Sequence, residues 1–239
     1  LQAIRHDLDP HHRDRALDQM VIVGHSMGGL VAKLQITHSS DTLWRSFCNR
    51  PIDSMEMGPQ LRSDLQRASF FAPVPSITRV IFIGTPHRGS PWANRWIGRL
   101  GAGLVDDERA SSERFEQLVD KYPDAFLEGL RSRPPRSIDV LSPESPMLNA
   151  MNQLEISPRV IMHSIIGTGY TMREAGPSDR VVPVSSARLP GVASELVIES
   201  QHEELHRKPA SISEVMRILR EHATMSGQVT TSRTMPRRS

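Results

Sequence analysis

The sequence predicts an α/β protein built on a mostly parallel sheet. Three observations carry this: four short apolar runs of strand length, glycine-rich turns directly after the early ones, and apolar residues at helical spacing in the connections. Parallel strands covered on both faces read as continuous apolar runs, and these do.

The first run, Met20 to Val23, ends at Gly24 and is followed by Met27, Leu30, Val31 and Leu34 on one helical face, giving strand, tight turn, helix. The second, Val80 to Ile83, runs into Gly84-Thr85-Pro86-His87-Arg88-Gly89-Ser90. The third, Val160 to Ile166, stops at Gly167. The fourth, Glu195 to Ile198, precedes a helix marked by Ile212, Val215, Met216 and Leu219, with Ser211 and Glu214 as its expected capping box. Two stretches exceed a minimal strand-helix alternation and are expected to be helical insertions above the sheet, near residues 39–76 and 90–154.

The 239 residues suffice for one domain with a substantial core. It is expected over residues 1–223, with a disordered basic tail at 224–239 carrying Arg233, Arg237 and Arg238. No apolar run reaches the roughly eighteen residues of a membrane-spanning helix, though contact with a membrane surface stays open. Lys and Arg number 29 against 27 Asp and Glu, so there is no dense basic stripe of the kind nucleic acid requires. The single cysteine, Cys48, excludes an internal disulfide, a Cys-rich zinc site and a CxxC redox pair, and reads as a small buried side chain.

Gly24-His25-Ser26-Met27-Gly28 is a G-x-S-x-G motif set between a predicted strand and a predicted helix. A sharp strand-to-helix turn crowds the backbone, so glycines flank a serine presented at the carboxyl edge of the sheet beside a helix N-terminus. Ser26 is the candidate nucleophile, and the Met27 amide the first candidate donor to an oxyanion. The plainer alternative is a serine that caps the helix and glycines that serve packing.

A serine needs a base to take its proton and a carboxylate to orient that base. Asp179, in Ser178-Asp179-Arg180-Val181-Val182-Pro183, and His202, a few residues past the fourth strand, stand in the order Ser, acid, His. His87 and His206 remain alternatives for the base, and Glu199, Asp139 and Glu203 for the acid. His25 sits within the turn and cannot readily fold back onto Ser26. Trp92, Trp96, Phe70 and Phe71 could line an apolar acyl pocket or simply pack the insertions onto the body.

Val21 to Ala32, Gly84 to Ser90 and the Asp179 and His202 segments together resemble the α/β-hydrolase superfamily, nearest to bacterial esterase or lipase-like members akin to the GPI inositol-deacylase (PGAP1-like) group. The resemblance implies an α/β-hydrolase fold, Ser26 as nucleophile, Asp179 as acid and His202 as base. It also implies a small-molecule or lipid ester as substrate, with neither metal nor cofactor. Members of this superfamily carry several strands before the nucleophile strand, one of them followed by an H-G loop that supplies a second oxyanion amide. Only nineteen residues precede Met20, so the chain resembles the C-terminal part of such a protein, with the nucleophile strand left at an edge. An acyltransferase using the same triad, and a non-catalytic scaffold or fragment binding a lipid or protein, are the other functions this sequence fits.

Overall fold

The computed structural model describes residues 6–11, 13–92, 109–128 and 141–232. Strand β1 (Met20–His25) leads through Ser26 into helix α1 (Met27–Leu34), and the two-residue strand β2 (Thr37–His38) follows. Helices α2 (Thr42–Arg45) and α3 (Pro59–Ser69) precede β3 (Ile77–Ile83); α4 (Arg109–Lys121) and α5 (Pro146–Gln153) precede β4 (Glu155–Ile156) and β5 (Ile161–Thr168). The hairpin strands β6 (Tyr170–Met172) and β7 (Gly176–Ser178), short helix α6 (Val184–Ala187), β8 (Ser194–Glu199) and helix α7 (Pro209–Ser232) follow.

The main sheet runs β1-β3-β5-β8 with every neighbour parallel. Parallel pairing puts all carboxyl ends on one edge, so the segments after His25, Ile83, Thr168 and Glu199 converge there. Alternation along β3 divides the core. Val80 and Phe82 face Ala32 and Ile36 of the α1 segment, while Ile81 and Ile83 face Leu205 and Ile218 on the α7 side. Gly24 lies so close to α1 that a Cβ would stand 2.6 Å from Gly29 Cα, which explains the glycine at the strand's end.

Three expectations are corrected. The first strand reads as buried on both faces, yet Met20 to Val23 are only partly covered and Val23 is 47% exposed; among the described residues β1 pairs only with β3, the edge position expected of it. Helix α7 continues to Ser232, so residues 224–232 of the expected disordered tail are helical. Glu221 gives that end something to hold, pairing with buried Arg79 at 3.3 Å and with Arg217 at 3.0 Å. The capping box is not formed, because the helix begins earlier, at Pro209. Ser211 Oγ instead donates to the Leu205 carbonyl at 2.6 Å, and Glu214 accepts from Arg217.

The stretches expected as insertions pack on one another. Trp44, Cys48, Met55 and Leu61 join Leu118, Val119 and Phe126 in a separate apolar cluster, with the Cys48 thiol pushed up by burial. The antiparallel pair β2 and β4 ties the residues just before the first stretch to those just after the second. No described helix is long and apolar enough to cross a membrane.

Candidate active site

The turn between β1 and α1 holds Ser26 at φ 56° and ψ −128°, a left-handed conformation that is strained for any residue with a Cβ. Its amide donates to the Ile83 carbonyl at 2.9 Å, which fixes the turn against the neighbouring strand. Ser26 occupies the N-cap position, but its side chain makes no capping hydrogen bond. The hydroxyl points to His202 instead, with Oγ 2.9 Å from Nε2. Met27 is the first helical residue, where an N–H has no acceptor within the helix.

Asp179 follows β7 and is 1% exposed. Its Oδ1 accepts from the amides of Val181 at 3.0 Å and Val182 at 2.6 Å, and its Oδ2 lies 2.7 Å from His202 Nδ1. This tight turn needs Arg180 at φ 81°, and the Arg180 guanidinium sits 4.0 Å over the Tyr170 ring of the adjoining hairpin. Gly167 makes room for the acid, since a Cβ there would lie 2.6 Å from Asp179 Cβ. His202 is fully buried, and its amide donates to the Asp179 carbonyl at 3.0 Å. A carboxylate only accepts, so His202 carries its proton on Nδ1 and presents Nε2 as an acceptor to the serine hydroxyl.

The other expected residues are dispersed. His206 is exposed, with its Nε2 accepting from Arg207 at 3.2 Å. His87 is buried edge-on against Phe82, with ring centroids 4.8 Å apart, and neither ring nitrogen has a hydrogen-bond partner among the described residues. Glu199 and Glu203 are exposed, and Asp139 and Trp96 lie outside the described residues. Trp92 is 46% exposed. Phe70 lines a cavity of about 250 Å³ with Asp41, Trp44, Arg45 and Arg50, and neither Ser26, Asp179 nor His202 borders it. Of the three aromatics among the described residues, Phe71 shares an apolar cluster with Met27, together with Leu30, Leu148 and Met151.

Sequence reasoning missed two sets of supports. The Gly84–Ser90 turn is stitched to the acid's loop: Ser90 Oγ donates to the Val181 carbonyl, Ser186 Oγ to the Gly89 carbonyl at 2.6 Å, and Arg88 to the carbonyls of Ser185 and Arg188. Buried Lys33 bonds Asn152, which bonds the His87 carbonyl, and burial pushes the Lys33 ammonium down to about 8. Neither bridge has a sequence signal, since each joins segments far apart in the chain. Among the described residues no group of three or more His, Cys, Asp or Glu could hold a metal ion.

Burial leaves three histidines hard to protonate. His25 falls from the ordinary 6.5 to about 4 and His87 to about 3. His163, beside the Arg79 guanidinium, falls to about 4. Between pH 6.5 and 4 the unfolded chain takes up protons that the folded chain refuses, so acid favours unfolding. The contribution of these histidines to stability is expected to be full above about pH 6.5 and to fall as pH drops toward 4. Denaturant midpoints at pH 7.5 and 5 check this, and an equal or higher midpoint at pH 5 would contradict it.

A parallel sheet covered by helices on both faces, a strained serine turn at its carboxyl edge and a buried carboxylate–imidazole–hydroxyl chain define an α/β-hydrolase fold. No protein-family model and no curated protein matches the chain. Among solved structures it is similar to the mature lipase BlEst2 of Bacillus licheniformis, at 14% identity over 91% of this chain and 70% of that one, with a TM-score of 0.46. It is also similar to the Staphylococcus hyicus lipase, at 13% identity over 86% and 71%, TM-score 0.42. A third is the lin2722 gene product of Listeria innocua, at 16% identity over 90% of this chain, TM-score 0.40; the chain spans 61% of that protein's length.

Proposed function

We propose that the chain is a serine hydrolase that cleaves carboxylic esters through an acyl-enzyme on Ser26. The observation that carries this is the continuous buried chain from Asp179 through His202 to Ser26, at 2.7 and 2.9 Å. His202 Nε2 takes the hydroxyl proton as Oγ attacks the ester carbonyl, and the Met27 amide meets the developing oxyanion. The imidazolium returns the proton to the leaving alkoxide. Water, deprotonated by the same nitrogen, then releases the acid and frees Ser26. Asp179 keeps the proton of His202 on Nδ1 throughout and stabilises the positive charge that forms on the ring. The apolar cluster reaching Met27, with Phe71 and Met147, favours an ester with a hydrocarbon acyl chain, as in a lipid.

A fluorophosphonate probe tests the proposal, because it reacts fastest with a serine whose base is in place. One adduct is expected, on Ser26 by peptide mass spectrometry, together with release of p-nitrophenol from short p-nitrophenyl esters. A folded protein that takes no label overturns the proposal. Transfer of the acyl group to an added alcohol faster than to water would redirect it to acyl transfer.

A further inference from the structure

We propose that His25, the residue before the nucleophile, is a positioning residue that holds the base's main chain in place; the inference rests on the ester-hydrolase reading of Ser26. His25 Nε2 lies 3.1 Å from the carbonyl oxygen of His202. A carbonyl only accepts, so the His25 ring carries its hydrogen on Nε2 and donates it. The ring also lies against both histidines of the base's loop, its centroid 5.0 Å from that of His202 and 4.7 Å from that of His206.

Every polar group of His202 is thereby held. Its Nδ1 is bound by Asp179 Oδ2, its Nε2 faces Ser26 Oγ, and its amide donates to the Asp179 carbonyl. Its own carbonyl accepts a long 3.4 Å bond from the Leu205 amide and the shorter one from His25. Asp179 pins the base from the acid's side only. His25 pins it from the nucleophile's side, because His25 and Ser26 are consecutive and their Cα atoms are about 3.8 Å apart. The bond therefore sets the separation between the base and the serine turn directly, across 177 residues of sequence.

Displacing a catalytic group by about 1 Å can cost about 10²-fold in rate. The effect of losing the donor falls on the chemical step and not on substrate binding. The test compares kcat, KM and the rate of fluorophosphonate labelling for the wild type, His25→Phe, His25→Gln and His206→Ala. Phenylalanine keeps a ring against His202 without a donor, whereas the glutamine amide can reach the same carbonyl. His25→Phe is expected to lose roughly 10- to 100-fold in kcat with KM nearly unchanged, His25→Gln to regain most of it, and His206→Ala to stay near wild type. Equal losses in the two His25 variants, a loss confined to KM, or a His25→Phe variant at wild-type rate would overturn the inference. An unlabelled wild type would instead sink the ester-hydrolase reading beneath it.

Discussion

Ser26→Ala is expected to lower ester turnover by on the order of 10⁶-fold in a protein that still folds. The hydroxyl is the only group that the exchange removes, and in the structure it faces His202 Nε2 at 2.9 Å. It does not cap α1, so its loss leaves the helix start as it was. Alanine inherits the same left-handed backbone with the same Cβ, and the strain of the turn is unchanged. What survives is the rate supplied by the Met27 amide and by binding alone, roughly 10³–10⁴ above water. The check is kcat/KM on a p-nitrophenyl ester beside a denaturation curve. A folded variant within tenfold of the wild type would remove Ser26 from the reaction.

Asp179→Asn is expected to lower kcat by about 10⁴-fold, close behind His202→Ala. The oxygen of the substituted amide can still accept from the Val181 and Val182 amides, which the carboxylate holds now, so the turn survives. That constraint directs the new NH₂ group at His202 Nδ1, where a donor meets the nitrogen that carries the proton. The imidazole answers by moving its proton to Nε2, and a protonated Nε2 cannot take the proton of Ser26. Fluorophosphonate labelling should slow in Asp179→Asn without vanishing, because the hydroxyl remains. His87→Ala and His206→Ala should keep most of the activity, since neither ring reaches Ser26. A near-normal rate in Asp179→Asn would move the acid's role to another carboxylate.

The parts of the molecule that sequence reading reaches are the local ones. Glycine at 24, serine at 26 and the helical face of Met27, Leu30 and Leu34 lie within a dozen residues, and the steric demands of a strand-to-helix turn act over that distance. The runs of β3 and β5 are legible for a similar reason: burial on both faces leaves no polar alternation, and the main sheet puts both strands in its interior. The helical state of residues 224–232 is not legible in this way, because their helix is held by Glu221 pairing with Arg79, a partner on β3 142 residues away.

By itself, then, the sequence determined a parallel α/β sheet, a strained serine turn at its carboxyl edge, and a short set of histidines and carboxylates that could reach it. Only the tertiary structure decided that His202 lies between Asp179 and Ser26, that His206 lies outside them, and that Phe71, with Met27, packs against the Leu30 cluster while Phe70 lines a separate cavity. It alone revealed the bond from His25 to the His202 carbonyl. The physical reason is range. Propensity, periodicity and turn sterics act between residues a few positions apart, whereas a hydrogen bond of about 3 Å between distant segments depends on the path of every loop between them.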